Sequence, residues 1–198
     1  ALLAFGSLVT QMAEPAQVEA GLGPWERFLR AYIVAFCVVL SLSLGGLWFV
    51  MLQHLTKAGW SVVLRRVAEA FASNLTWLWI LFIPILIGVF KTDLYGWRHP
   101  DPADEVLAHK AAFFAPWFWV GRTVLYFAVW AVLARYFLGR SAHQDETGDP
   151  AITLRMQKMA APGMILYAFT QTFAIIDWVM SLEPHWFSTM FGVYFFAA

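Results

Sequence analysis

Residues 31–56 read AYIVAFCVVLSLSLGGLWFVMLQHLT and contain no Asp, Glu, Lys or Arg. A helix of about 20 apolar residues crosses the roughly 30 Å hydrocarbon core of a bilayer, so this stretch is long enough to span a membrane. Four further stretches also lack these charged residues, namely 1–13, 70–90, 159–176 and 184–198. The sequence therefore predicts an all-α fold, a polytopic transmembrane helix bundle.

The composition excludes several classes of protein. Of the 198 residues, 61% are hydrophobic and 13% are charged, whereas about a quarter of the residues of a soluble domain are charged. The formal net charge is zero, and no basic stripe is present that would bind nucleic acid. Because Cys37 is the single cysteine and no histidine falls in the middle of a span, we expect this chain to hold no metal, iron–sulfur cluster or haem.

We place membrane spans at 1–12, 29–55, 74–90, 113–137, 160–182 and 186–198 within one bundle covering 1–198. The first and last spans are partial, so we expect the chain to be truncated at both ends. Small residues in the second span predict close helix packing, namely Ser41, Ser43, Gly45 and Gly46.

The connection after the second span has helical periodicity. Its apolar residues fall on one face of a helix over about 60–72, and they are Trp60, Val63, Leu64, Val67 and Phe71. This pattern is typical of an amphipathic helix in the membrane interface. We favour an anchoring role over a specific lipid or partner contact, and Arg65 and Arg66 are spaced to pair with Glu69.

Basic residues set the expected orientation. With the span ends beside them counted, seven Lys and Arg residues lie at the connections 56–73 and 138–159. Five lie at the connections 13–28, 91–112 and 183–185, counted in the same way. The positive-inside rule therefore places the first group in the cytoplasm and the second group on the periplasmic side.

Two charged residues fall in the interior of predicted spans, away from the span ends, and such residues are candidates for function. Arg122 and Asp177 lie at similar depth from the same side of the membrane, so we predict that they pair. The pair would either fix helix packing or form part of a proton relay or a ligand site. Ser181 and Thr170 share the helical face of Asp177 and would extend a polar path.

Polar residues at two membrane edges are further candidates. Glu183 and His185 flank Pro184 in a predicted three-residue corner, where they would either exchange protons with Asp177 or simply lie among headgroups. His54 ends the second span on the cytoplasmic side, and the nearest buried acid there is Glu69. These two residues would form a proton entry or an interfacial contact.

Several stretches resemble one family of membrane subunits. These are AGWSVVLRRVAEAF at 58–71, SLGGLWFVMLQHLT at 43–56, RTVLYFAVW at 122–130 and above all DWVMSLEPHWFSTMFGVYFFAA at 177–198. They are similar to the F subunit of bacterial alternative complex III, a quinol:cytochrome c oxidoreductase, in the form often called quinone-binding subunit 2. The resemblance covers nearly the whole chain.

The resemblance implies a fold of the polysulfide-reductase (NrfD-like) superfamily in the bacterial cytoplasmic membrane. It implies partner subunits that carry haem c and iron–sulfur clusters, a second NrfD-like subunit, and menaquinol or another quinol as the electron donor. It implies that this chain has no redox centre of its own. The role of the chain would be proton conduction, support of a quinone site, or both. Two alternatives remain open: a secondary transporter of a small anion, and a purely structural scaffold.

Overall fold

The computed structural model describes residues 24–98 and 104–197, and within these ranges the chain forms helices and no strands. The predicted span at 1–12 lies outside the described residues. The α-helices of the described part are α1 (Pro24–Leu55), α2 (Val62–Ser73), α3 (Leu78–Lys91), α4 (Glu105–Lys110), α5 (Pro116–Thr147), α6 (Pro150–Trp178) and α7 (Phe191–Ala197). Short 3-10 turns occupy Asn74–Thr76, Gly96–Arg98 and Met180–Leu182.

Three helical segments of the described chain are long and apolar enough to cross a membrane, and they identify a membrane protein. These segments are Trp25–Leu55, Pro116–Thr147 and Pro150–Leu182. The helices α2 and α3 meet the same criterion only as a pair, with a bend of 41° between them. The spans predicted at 29–55 and 160–182 therefore lie inside these segments, and the span predicted at 113–137 lies inside one of them except for its first three residues.

The connection predicted at 138–159 is mostly helical. Helix α5 continues to Thr147, and Gly148 ends it in the left-handed region at a φ of 64°, a conformation that favours glycine. The next helix starts at once, because the Asp149 carboxylate accepts the Ala151 N–H at 2.8 Å and Pro150 suits the first helical position. Sequence periodicity did not detect this helix because its residues here are polar.

The corner predicted at 183–185 is longer than expected. Residues 183–190 are not helical, and α7 begins at Phe191 rather than at residue 186. Pro184 disfavours a helical conformation at the preceding residue, and Glu183 is accordingly outside the helical region, at φ −124° and ψ 83°.

The described chain forms two compact units. Unit 1 consists of the described residues of Ala1–Val38, Ile80–Thr123 and Thr172–Ala198, and unit 2 of Val39–Trp79 and Val124–Gln171. Aromatic rings fill the core of unit 1: the Phe82 ring lies 4.6 Å from Trp178 and 5.4 Å from Phe36, centroid to centroid. Such ring pairs add stability beyond the area they bury.

In unit 2, α2 packs directly against the small residues of α1. A Cβ atom placed on Gly46 would lie 2.7 Å from the Ala68 carbonyl oxygen and 3.0 Å from the Phe71 Cβ, whereas one on Gly45 would meet nothing within 4 Å. The close packing predicted for this patch is therefore confirmed at Gly46. The side of α2 that packs on α1 is buried, whereas the side that carries its large apolar residues is exposed.

Helix α1 ends in a Schellman motif that orients its last polar residues. The Ala58 N–H donates to the Gln53 carbonyl at 3.0 Å and the Lys57 N–H donates to the His54 carbonyl at 3.3 Å, which is the hydrogen-bond pattern of that motif. Lys57 occupies the left-handed position, with a φ of 53°. The Gln53 side chain then accepts from the Ser61 hydroxyl at 2.7 Å.

Candidate functional site

The ion pair predicted between Arg122 and Asp177 is confirmed in unit 1. Arg122 Nε donates to Asp177 Oδ2 and Arg122 Nη2 donates to Asp177 Oδ1, each at 2.8 Å. The Asp177 residue is 0% exposed, and the Arg122 side chain is 13% exposed. This two-point geometry is the strongest arrangement for a guanidinium and a carboxylate, and it holds both carboxylate oxygens.

The rest of the Arg122 guanidinium is also engaged. Its Nη1 atom donates to the Phe113 carbonyl at 3.0 Å. The ring centroids of Phe113 and Phe118 lie 3.9 and 4.5 Å from its central carbon, which adds cation–π attraction on the remaining surface. The surroundings of Arg122 therefore stabilise its charge and leave little of the guanidinium open to another ligand.

The end of α6 is capped by side chains from other parts of unit 1. Trp119 Nε1 donates to the Asp177 carbonyl at 2.9 Å, and the Ser181 hydroxyl donates to the same carbonyl. The Tyr95 hydroxyl donates to the Trp178 carbonyl at 2.8 Å. Burial raises the pKa of the Tyr95 phenol, so this group stays neutral and remains a donor.

The hydroxyl groups predicted to extend a polar path have other partners. Ser181 is buried next to Asp177 but donates to a backbone carbonyl. Thr170 lies in unit 2, where its hydroxyl donates to the Leu166 carbonyl at 2.7 Å and accepts from Trp130 Nε1 at 2.9 Å. Both hydroxyls therefore stabilise helix packing through these bonds.

The corner after α6 is fastened to α4 within unit 1. Lys110 Nζ donates to the Pro184 carbonyl at 2.7 Å, and His185 Nε2 lies 2.9 Å from Asp104 Oδ2. Asp104 also caps α4 through its other carboxylate oxygen. Glu183 and His185 are both exposed, as expected for residues at a membrane edge.

Unit 2 contains a cavity of about 320 Å³ beside Glu69, here called the Glu69 cavity. It is lined by Val62, Arg65, Arg66, Glu69, Ser141, Gln144, Asp145 and Gly148. Glu69 is 2% exposed and pairs with Arg66 through Oε2, at 3.0 Å from Nη1. The other nitrogen of Arg66 pairs with Asp145, so Arg66 links a buried carboxylate to an exposed one.

The second carboxylate oxygen of Glu69, Oε1, forms no hydrogen bond with Arg66. Glu69 Oε1 is buried and has no hydrogen bond of good geometry to any described residue, although the Ser141 hydroxyl acts on this carboxyl as a side-chain donor. Buried polar atoms nearly always have partners, so an orphaned carboxylate oxygen at the wall of a cavity indicates a place for a water molecule or a ligand. The cavity is many times larger than one water requires.

His54 is the second buried titratable residue of unit 2. It is 2% exposed, its ring stacks on Phe137 with the centroids 5.7 Å apart, and neither ring nitrogen has a hydrogen-bond partner within the described ranges. The charge of Arg65, which lines the Glu69 cavity, acts on both His54 and Glu69. Arg65 therefore couples His54 and Glu69 electrostatically, and these are the two candidate residues that the sequence predicts on the cytoplasmic side.

Sequence reasoning missed several residues of both sites. Phe118 and Trp119 precede Arg122 by four and three residues, which places them on its helical face, so their contribution was detectable. Asp104 and Asp145 could not be linked to His185 and Arg66, since these contacts join residues distant in sequence.

Comparison with known proteins leaves the family open: no protein-family model matches this sequence, and no curated protein matches it significantly.

Proposed function

We propose that this chain is an integral membrane subunit of a quinol:electron-acceptor oxidoreductase complex and that it conducts protons without a redox centre of its own. The proposal is supported by the spanning helices and by the resemblance of 58–71 and 177–198 to the alternative complex III subunit. In this assignment the chain lies in a bacterial cytoplasmic membrane with a related NrfD-like subunit. Partner subunits carry the haem c and iron–sulfur clusters that receive electrons from menaquinol or another quinol.

The observation that carries the proton role is the free oxygen of Glu69 in the Glu69 cavity. A carboxylate can take up a proton only at an oxygen that solvent or another titratable group can reach. Oε2 is held by Arg66, whereas Oε1 is unpartnered among the described residues at the wall of a cavity large enough for water. His54, whose two ring nitrogens have no partner among the described residues, supplies a second buried group that can donate and accept hydrogen bonds.

The Arg122–Asp177 pair has a different role from Glu69, because its carboxylate oxygens are both bound. Oxidation of a quinol releases two protons and two electrons, and opening one of the bonds to Arg122 would free an Asp177 oxygen to accept a proton. The pair in its closed form holds both Asp177 carboxylate oxygens. Asp177 would therefore act as a gated acceptor on the periplasmic side.

The two alternative functions differ in their support. A transporter that binds an anion through Arg122 needs donors that are free, but this guanidinium is engaged by Asp177, the Phe113 carbonyl and two aromatic rings. The scaffold alternative is favoured by the same observation, because a fully engaged buried pair is well suited to fixing helix packing. We keep the scaffold as the second candidate.

Glu69→Gln in the assembled complex tests the proposal. The measurement is proton uptake and quinol-driven electron transfer in vesicles, with Glu146→Gln as the control because Glu146 is an exposed acid of α5. We expect Glu69→Gln to lower proton uptake by about tenfold or more and the control to retain it. Normal uptake and turnover in a fully assembled Glu69→Gln complex would contradict the proton role and favour the scaffold.

A further inference from the structure

The charges around the Glu69 cavity leave one cationic and one anionic group available. Arg66 is shared between Glu69 and Asp145. The Arg65 guanidinium lines the cavity and forms no ion pair with any described residue. With Arg65 and Glu69 Oε1 both available, the cavity offers opposite charges to a single occupant, and its four charged side chains cancel in sum.

The length of α5 indicates that the cavity is near the membrane surface. Helix α5 has 32 residues and is about 48 Å long, well beyond the roughly 30 Å of the hydrocarbon core. Ser141, Gln144 and Asp145 come from the last two turns of this helix. These positions fit the depth of lipid headgroups.

An apolar surface borders the cavity. Val62 lines the cavity and is itself exposed, and the next residue, Val63, is 81% exposed. The exposed apolar residues continue along α2 and its flanks, and they are Trp60, Val62, Val63, Leu64, Val67 and Phe71. A molecule with a charged head and hydrocarbon chains would contact the cavity and this surface at the same time.

We propose that the Glu69 cavity binds the headgroup of a phospholipid with a primary ammonium group, namely phosphatidylethanolamine. The phosphodiester lies on the Arg65 guanidinium, while the ammonium donates to Glu69 Oε1. The acyl chains rest on the exposed apolar face of α2. A zwitterionic headgroup matches a cavity with a free charge of each sign, whereas an anionic headgroup leaves the carboxylate unsatisfied.

This inference does not depend on the proposed function, since lipid binding is measured without proton transport. The full chain, purified in a mild detergent and stripped of lipid, is titrated with phosphatidylethanolamine, and bound lipid is measured by native mass spectrometry. We expect Arg65→Gln to weaken binding about tenfold, the range of a charged hydrogen bond. The control Arg155→Gln, at an exposed position of α6, should leave binding unchanged.

A second pair of measurements keeps the test decisive if Arg65→Gln folds poorly. Arg65→Lys retains the charge and should retain binding. Glu69→Gln should abolish the preference for phosphatidylethanolamine over phosphatidylcholine, because the quaternary ammonium of phosphatidylcholine cannot donate a hydrogen bond. Equal affinity of the unmodified chain for the two lipids would overturn the proposal, as would unchanged binding in folded Arg65→Gln.

A water-soluble headgroup distinguishes a lipid from a free metabolite. Glycerophosphoethanolamine has the same charges without acyl chains, so it should bind much more weakly than the lipid. If it binds as tightly, the apolar face of α2 contributes nothing and the lipid assignment is wrong.

Discussion

Breaking the Arg122–Asp177 pair from each side in turn should have unequal effects on stability. Arg122→Gln leaves the Asp177 carboxylate, which is 0% exposed, without its cation. Removing one partner of a buried ion pair costs about 3–5 kcal/mol of unfolding free energy. We expect a loss in this range for Arg122→Gln.

Asp177→Asn should cost less. The arginine side chain is 13% exposed and keeps its bond to the Phe113 carbonyl and its contacts with two aromatic rings. The substituted amide also keeps one acceptor oxygen. We expect a loss of about 1–3 kcal/mol, the range for one weakened hydrogen bond to a charged group.

The double variant Arg122→Gln with Asp177→Asn measures the coupling itself. It removes both charges and leaves two amides that can pair, so its loss should be smaller than the sum of the single losses by about 2 kcal/mol. The assay is equilibrium unfolding in mixed detergent micelles, followed by the fluorescence of the 11 tryptophans. Additive losses, or single losses no larger than that of Arg155→Gln, would refute the argument from burial.

Two further predictions concern helix α1 and are checked by the same unfolding assay. Lys57→Gly should stabilise the protein by about 1 kcal/mol, because glycine relieves the left-handed backbone at a φ of 53°; Lys57→Ala, which keeps a Cβ atom, should give no such gain. Gly46→Ala should destabilise by about 1–3 kcal/mol, since the new Cβ would lie 2.7 Å from the Ala68 carbonyl oxygen. Its matched control, Gly45→Ala, should be neutral or stabilising, because nothing lies within 4 Å of that position, and equal losses at the two glycines would contradict the packing described for α2.

Much of the fold was predictable because a helix that crosses the hydrocarbon core of a bilayer needs about 20 consecutive apolar residues. Apolar runs of this length are rare outside membranes, so the helices that cover most of 29–55, 113–137 and 160–182 were predictable. The polar continuation of α5 to Thr147 was not evident, since nothing in its composition distinguishes an exposed helix from a loop. Its end at Gly148 and the restart at Pro150 depend on local capping, which periodicity does not detect.

One candidate site was predictable from the sequence and the other was not. Arg122 and Asp177 were predictable as partners because two opposite charges at similar depth in a membrane have strong reason to meet. The Glu69 cavity was not predictable, because it depends on Asp145 and Ser141 reaching α2 from a distant part of the chain. A cavity exists only in three dimensions, and a single sequence carries no direct record of it.

The side chains at the end of α6 decide how the chain can turn within an apolar environment. The last carbonyls of any helix lack partners inside that helix, and exposing them to hydrocarbon costs several kcal/mol each. Here Trp119, Ser181 and Tyr95 supply the missing donors, so α6 need not extend into water before it stops. The level at which this helix ends is therefore set by an indole and a phenol contributed from elsewhere in the chain, and replacing either would shift the turn toward the aqueous phase.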